Sequence, residues 1–293
     1  MQAVAKTPEL AFESAMLDEH MHLLSGDTPL AKFGLTGLNE VLGGIYPGQN
    51  IVIGATPGSG KTSLISQEAD HLAADGHPVI FVSGELPPHK LVAKSLSRLS
   101  DGGLDLSEVA AASLPAHPKH EALERALAEY RERIAPNLCI TGFLNLADLG
   151  CLVGACIRER GRAPILFLDY LQLLATAGAA DAFVDERLAI SAYVKGIRDI
   201  SNCYGTPVCV LSTITRTSYN AKKPGIGLFG GAASIEYSFD AALYLTDDEE
   251  QCFPQDGPHG EPVKLVALKN RYGALGYAPL SFDGAHATFR DRG

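Results

Sequence analysis

A glycine-rich stretch near residue 55 combines the residue types that bind phosphate. It consists of Ala55, Thr56, Pro57, Gly58, Ser59, Gly60, Lys61 and Thr62. Apart from Ala55, it matches the P-loop pattern GxxxxGK(S/T), in which backbone N–H groups and a helix N-terminus surround phosphates. In this pattern Lys61 reaches the β and γ oxygens and the Thr62 hydroxyl ligates Mg²⁺. The stretch predicts a site for ATP and Mg²⁺; the alternative is a chance Gly-rich turn.

Two carboxylates come at or just after apolar runs that predict buried strands. Asp169 closes the run Pro164–Asp169. Glu85 follows the run Pro78–Ser83. Because the carboxyl ends of parallel strands face one crevice, both side chains are expected beside the phosphates. Asp169 would support Mg²⁺ through water, and Glu85 would orient and polarise the attacking water as the catalytic base. The alternative for Glu85 is an exposed or helix-capping residue.

Strands and helices alternate along the chain from residue 34. The predicted strands are Asn50–Thr56, Pro78–Ser83, Leu138–Thr141, Pro164–Asp169 and Pro207–Ser212. The predicted helices lie near Lys61–Asp75, His89–Leu99, Glu121–Arg133, Leu146–Arg160 and Asp185–Cys203. Apolar strands alternating with helices indicate an α/β fold with a mostly parallel sheet flanked by helices. Three further runs predict antiparallel strands added at the C-terminal edge: Ala241–Thr246, Val263–Lys269 and Ala278–Phe282.

The first 33 residues are predicted to form a tether with one helix, and residues 34–293 to form the main domain. Thr7 can cap this helix, Pro8 suits its first position and Gly26 ends it. Its apolar face leaves two interpretations open. The helix packs on its own domain, or it packs as an arm on a neighbouring subunit.

The composition indicates a folded protein of the cytoplasm. Hydrophobic residues make up 46% of the 293 residues and charged residues 20%, which suits a sizeable core. The sequence has no apolar run of membrane-spanning length and no secretory signal pattern. Its six cysteines lack CxxC spacing. We therefore expect a reducing, cytoplasmic location, no membrane association and no structural zinc.

The acidic charge limits how the chain can bind nucleic acid. A formal net charge of −10 opposes non-specific binding, so any contact must come from a local patch. Arg216, Lys222 and Lys223 form such a patch around Tyr219. Cations with an aromatic ring suit the backbone and bases of single-stranded DNA. An ordinary solvated turn is the alternative.

The order and spacing of these residues resemble those of a known family. The matching strings are Thr36-Gly-Leu-Asn-Glu-Val-Leu-Gly-Gly, the P-loop with Ala first, Ser83-Gly-Glu-Leu, Asp169-Tyr-Leu-Gln-Leu, Leu211-Ser-Thr-Ile-Thr-Arg, Ser234-Ile-Glu with Asp240, and Lys269-Asn-Arg-Tyr-Gly. From about Thr36 to Phe289 the chain resembles the RecA-like motor domain of DnaB-type replicative DNA helicases. The most specific string is the one that begins at Asp169.

The resemblance implies an activity and an assembly. The activity is ATP-driven translocation on single-stranded DNA with unwinding of the duplex during replication. The assembly is a homo-oligomer, a hexameric ring, that works with other replication proteins. In the family, residues matching Lys269 and Arg271 act as fingers on a neighbour's ATP. These two cations lie two apart at a predicted strand end, so they point the same way. A solvated basic turn is the alternative.

Three departures from the family pattern bear on DNA coupling. Thr213 stands where the family usually has a Gln that is thought to sense the γ-phosphate. Gly230 and Gly231 stand in the DNA loop where the family typically has an Arg; their backbone amides can still approach phosphate closely. The family's N-terminal collar domain has no counterpart before the predicted helix.

Two other functions remain open at this stage. One is a RecA-family ATPase of the RadA or KaiC kind, because Thr36-Gly-Leu and the string from Lys269 also occur in such proteins. The other is a nucleotide-binding regulator that does not unwind DNA, which Thr213, the missing loop Arg and the acidic charge favour. Stimulation of ATPase by single-stranded DNA distinguishes a motor from a regulator.

Overall fold

The computed structural model describes residues 28–177, 185–214, 225–229, 235, 237–248 and 260–292. The predicted N-terminal helix lies outside the described residues. Ala31 and Phe33, which precede the predicted domain boundary, are buried in the core, and Ala31 forms a bridge with Ile45.

One mixed sheet organises the described part of the chain, which contributes nine strands to it. The strands are β1 (Asn50–Ala55), β2 (Val79–Ser83), β3 (Leu138–Thr141), β4 (Ile165–Asp169), β5 (Val208–Thr213), β6 (Ala241–Asp247), β7 (Glu261–Asn270), β8 (Tyr277–Asp283) and β9 (Thr288–Asp291). Their order across the sheet is β3-β2-β4-β5-β1-β6-β7-β8-β9. The order places β1, which leads into the P-loop, between β5 and β6.

Helices cover both faces of this sheet. They are α1 (Thr36–Leu42), α2 (Lys61–Ala74), α3 (Pro88–Leu99), α4 (His120–Glu129), α5 (Leu146–Arg160), α6 (Leu171–Ala177) and α7 (Glu186–Tyr204). Alternate residues of β1 enter different cores: Ile51 and Ile53 pack with α2, α3 and α4, whereas Val52 packs with α5, α6 and α7. Because successive side chains of a strand point to opposite faces, a strand between two helical layers must be apolar throughout.

The predicted fold class is confirmed, with differences in detail. β1 to β6 pair in parallel, and β7, β8 and β9 add antiparallel strands at the C-terminal edge. The first tail strand, β6, pairs in parallel with β1 on one side and antiparallel with β7 on the other, so it joins the parallel part of the sheet to the antiparallel edge. The short elements α1, α6 and β9 were not predicted, because each is at most seven residues long and gives little periodic signal. No helix among the described residues is long and apolar enough to span a membrane.

A buried carboxylate fastens the segment before α1 to the helix that follows the P-loop. Glu68 is 2% exposed, and its two oxygens accept hydrogen bonds from the backbone N–H groups of Gly34 (2.6 Å) and Leu35 (3.3 Å). Burial raises the pKa of Glu68 from 4.5 to about 7.

This shift predicts a pH dependence of stability. The folded state holds the Glu68 proton more tightly than the unfolded state, so the free energy of unfolding should fall as pH rises from about 4.5 through about 7. Glu68→Gln keeps the neutral form at every pH. Between pH 5 and pH 8, urea unfolding of the wild type should show the free energy of unfolding fall by on the order of 3 kcal/mol. The variant should not show this fall. Equal pH slopes in the two proteins would contradict the assignment.

Candidate active site

The P-loop turn depends on a glycine at its last bend. Gly60 has a φ of 86°, in the left-handed region, and directly precedes α2. A Cβ added at Gly60 would also lie 2.8 Å from ring carbons of Phe282. A side chain at this position is therefore excluded twice, by the backbone and by the ring that packs on it.

Ala55 replaces the usual first glycine without strain. It is the last residue of β1, where it pairs with Thr213 of β5 and Leu245 of β6. It is fully buried, and it is not among the described non-glycine residues with positive φ. Because an extended strand residue tolerates a Cβ, the alanine leaves the phosphate-binding turn intact.

The two polar residues at the start of α2 are held by the ends of β1 and β4. The Lys61 Nζ donates to the backbone oxygens of Ala55 (3.1 Å) and Thr56 (2.8 Å). The Thr62 hydroxyl donates to Oδ2 of Asp169 at 2.9 Å. Burial lowers the pKa of Lys61, and the negative charges of Asp169 and Glu85 oppose this shift. The ammonium and the hydroxyl are therefore already in place around the turn.

The Thr62 and Asp169 oxygens fit a magnesium ion. Asp169 is 1% exposed, and burial raises its pKa to about 6, although the hydrogen bond from Thr62 opposes the shift. Hydroxyl and carboxylate oxygens are the hard ligands that Mg²⁺ binds, together with phosphate oxygens and water. A divalent cation at this point would favour the ionised carboxylate.

Glu85 lies at the mouth of the same cavity, as the crevice argument predicts. The cavity has a volume of about 530 Å³. Its lining residues are Pro57, Gly58, Gly60, Lys61, Thr62, Ser63, Glu85, Leu86, Lys94, Tyr170, Thr213, Phe282 and Gly284. The N–H of Gly84 donates to the backbone oxygen of Asp169 at 2.6 Å, which ties the ends of β2 and β4 together. Glu85 is exposed, so its carboxylate is open to water.

Sequence reasoning missed one cation of this cavity. Lys94, on α3, donates from Nζ to the Ser63 hydroxyl at 2.9 Å. Burial lowers its pKa, and the positive charge of Arg98 adds to that shift while Asp169 opposes it. The sequence feature that could have pointed to Lys94 is its place on a predicted helix that starts shortly after Glu85. Nothing in the sequence favours Lys94 over Lys90, one turn earlier on the same helix.

Lys269 and Arg271 lie outside the phosphate cavity. The end of β7 pairs with the start of β6, and Ala241 there pairs with Ile51 near the start of β1. The P-loop follows the opposite end of β1. Lys269 donates from Nζ to the backbone oxygen of Phe239 at 2.6 Å. The two cations are thus at the other end of the sheet from the P-loop.

Arg271 is held by a buried carboxylate yet remains accessible. Its NH1 group donates to Oδ1 of Asp240 at 3.0 Å, and its NH2 group donates to the backbone oxygen of Tyr237 at 3.1 Å. Arg198 donates to the other oxygen of Asp240 at 2.7 Å. The Arg271 side chain is nevertheless 45% exposed, and the Asp240 side chain only 1%. A guanidinium has five N–H donors, so Arg271 keeps further donors for another group.

The predicted DNA-binding residues Arg216, Lys222, Lys223, Gly230 and Gly231 lie outside the described residues. Ile214, which precedes Arg216, and Phe229, which directly precedes Gly230, form an antiparallel bridge. The bridge directly follows Thr213, which lines the phosphate cavity. The segment with the predicted DNA patch therefore begins beside the candidate active site.

Comparison with known proteins assigns the family. The sequence profile of the DnaB-like helicase C terminal domain matches residues 31–291. The chain belongs to this family. The replicative DNA helicase DnaB of Pasteurella multocida (strain Pm70) is 24% identical over 261 residues, which are 87% of this chain and 54% of that protein. The chain thus spans about half the length of this relative.

Solved structures give the same fold for this DnaB-like domain. A DnaB-like replicative helicase, solved in a study of its interactions with primase, superimposes with a TM-score of 0.80 at 19% identity, covering 100% of this chain and 68% of that one. A KaiC-like protein from Pyrococcus horikoshii superimposes with a TM-score of 0.60 at 15% identity, covering 90% and 98%. The RecA-like fold is common to both, and the DnaB-like helicase is the nearer of the two.

Proposed function

We propose that this chain hydrolyses ATP and uses the energy to translocate on single-stranded DNA and unwind duplex DNA during replication. The observation that carries the proposal is one cavity of a DnaB-like domain that Lys61, Thr62 and Glu85 line, with Asp169 hydrogen-bonded to Thr62. These residues come from two separate strand ends and one helix start. Each has the chemistry that phosphoryl transfer requires.

Each of these residues has a separate role in the hydrolysis of ATP. Lys61 exchanges its contacts with the Ala55 and Thr56 oxygens for the β and γ oxygens of ATP. Thr62 and Asp169 would hold Mg²⁺, which would neutralise charge on the phosphates. Glu85 orients a water and accepts its proton as the water oxygen bonds to the γ-phosphorus and the bond to the bridging oxygen of ADP breaks. The products are ADP and inorganic phosphate.

We further propose that the active form is a homo-oligomeric ring, a hexamer, in which Lys269 and Arg271 contact the ATP of a neighbouring subunit. The distance of both cations from their own P-loop supports this role. Exposed aromatic side chains support it too: Tyr237, Tyr272 and Tyr277 are 75%, 53% and 60% exposed. Aromatic residues around an accessible arginine are typical of protein interfaces.

Binding of single-stranded DNA by the assembled ring tests the proposal. We expect DNA to stimulate ATP hydrolysis, and binding to weaken steeply with salt because phosphate neutralisation releases counterions. Replacing Lys222 and Lys223 with Ala should weaken binding and reduce the salt slope by roughly one for each lost phosphate contact. Fluorescence anisotropy with a labelled oligonucleotide across a salt series measures both.

A charge-matched variant separates local contact from overall charge. Arg187→Ala with Lys195→Ala removes the same two charges from exposed positions of α7 and should leave binding close to that of the wild type. If the ATP-bound assembly neither binds DNA at low salt nor responds to it in ATP hydrolysis, the chain is a nucleotide-binding regulator instead. Strand separation of a forked duplex then reports whether translocation also unwinds DNA.

A further inference from the structure

The two central strands of the parallel sheet separate just where the phosphate cavity begins. β4 and β5 pair only as far as Leu168 and Val210. Beyond this point Asp169 remains paired with Ser83 of β2, whereas Thr213 remains paired with Ala55 of β1. The ends of β4 and β5 therefore form two walls beside the cavity that are not hydrogen-bonded to each other through the backbone. The β4 wall ends in Asp169, the carboxylate proposed to bind Mg²⁺, and the β5 wall ends in Thr213.

One side chain bridges this gap. Gln172 lies three residues after Asp169, in the first turn of α6. Its Oε1 accepts a hydrogen bond from the Thr213 backbone N–H at 3.1 Å, and its Nε2 donates to the Ser212 hydroxyl at 2.8 Å. The amide of Gln172 thus supplies to β5 the kind of hydrogen bond that β4 no longer provides.

The bridged strand end leads directly to the segment predicted to bind DNA. Ile214 follows Thr213 and pairs with Phe229 at the base of that segment. Phe229 packs against β1 so closely that a Cβ added at Gly54 would lie 2.5 Å from its ring. The end of β5 and β1 therefore both contact Phe229 at this base.

We propose that Gln172 is a positioning residue that couples the nucleotide site to DNA binding, by holding the end of β5 in register with the Asp169 wall. The coupling rests on the proposed function. The hydrogen bond to Gln172 uses the backbone N–H of Thr213, not its short side chain. For this coupling, the type of side chain at position 213 therefore matters less than its backbone N–H. Gln172 is not among the residues that line the phosphate cavity.

The test is the mutual effect of nucleotide and DNA, measured in Gln172→Met. Methionine has a similar length and volume but lacks the amide that hydrogen-bonds to both Ser212 and Thr213. The readouts are the ratio of ATPase rates with and without saturating oligonucleotide, and the ratio of DNA dissociation constants with ADP and with a non-hydrolysable ATP analogue. Coupling of ordinary strength between two sites changes affinity by a factor of about five or more. In the variant we expect the ratio of DNA dissociation constants to approach one. The ratio of ATPase rates should fall with it.

Ser212→Ala is the matched control, because it removes one partner of Gln172 and leaves the bond to Thr213. It should keep the wild-type ratios. A merely structural role would lower both members of a ratio together, through the folded fraction, and would leave the ratio unchanged. Wild-type ratios in Gln172→Met overturn the coupling and leave the proposed function standing. A wild-type protein that hydrolyses ATP but shows no effect of DNA overturns both.

Discussion

Glu85→Gln should retain ATP binding and lose at least about a hundredfold in the rate of hydrolysis. The amide keeps the shape of the carboxylate at the mouth of the cavity but cannot accept the proton of the attacking water. Single-turnover hydrolysis of labelled ATP, with nucleotide affinity measured separately by titration, distinguishes a loss of chemistry from a loss of binding. Lys61→Ala should instead abolish hydrolysis together with ATP affinity, because the ammonium at the start of α2 that reaches the β and γ oxygens is lost.

A second carboxylate serves as the control for Glu85. Glu124→Gln changes an exposed residue of α4, remote in sequence from the cavity lining, and should hydrolyse ATP at the wild-type rate. If Glu85→Gln also turns over normally, Glu85 is not the base. The cavity would then need another acceptor for the proton of the attacking water.

Arg271→Ala should lower the turnover number by about a thousandfold or more in the assembled protein, the effect expected for losing an arginine finger. Because Arg271 lies far from its own P-loop, the loss should appear on the neighbouring subunit. Mixing wild-type with Arg271→Ala subunits at increasing ratios should therefore depress ATPase activity more than dilution alone. Wild-type activity should also rise with protein concentration as rings form.

Two further variants separate the finger role from the ion pair with Asp240. Arg271→Lys keeps a cation for the buried carboxylate but loses the forked guanidinium, so it should restore thermal stability without restoring turnover. Arg125→Ala removes an exposed arginine of α4 and should change neither. A monomer with full, concentration-independent ATPase would exclude a finger acting between subunits.

Local signals were sufficient for much of the fold. The predicted strand Leu138–Thr141 and the predicted helix Leu146–Arg160 match the observed β3 and α5 residue for residue. The helix ends are set nearby: Asn145 accepts a hydrogen bond from the Asp148 N–H at 2.9 Å, and Gly161 closes the helix in the left-handed conformation. Such caps act within four residues, so a sequence shows them directly.

Contacts between distant segments account for what the sequence did not predict. The parallel pairing of β6 with β1 and the position of Lys94 at the cavity both depend on which segments become neighbours. Apolar runs of similar composition predict strands, but they do not state the partner or the direction of pairing.

The sequence by itself determined the phosphate-binding chemistry, because the P-loop is contiguous and its glycine, lysine and threonine act within one turn and one helix start. It also placed Asp169 and Glu85 at one crevice, since the carboxyl ends of parallel strands share an edge. Only the tertiary structure decided that the walls of that crevice separate between β4 and β5 and that Gln172 joins them. The physical reason is that a sequence does not show where the pairing of two strands ends. Only beyond that point does a backbone N–H of one strand lack a partner on its neighbour and need another acceptor.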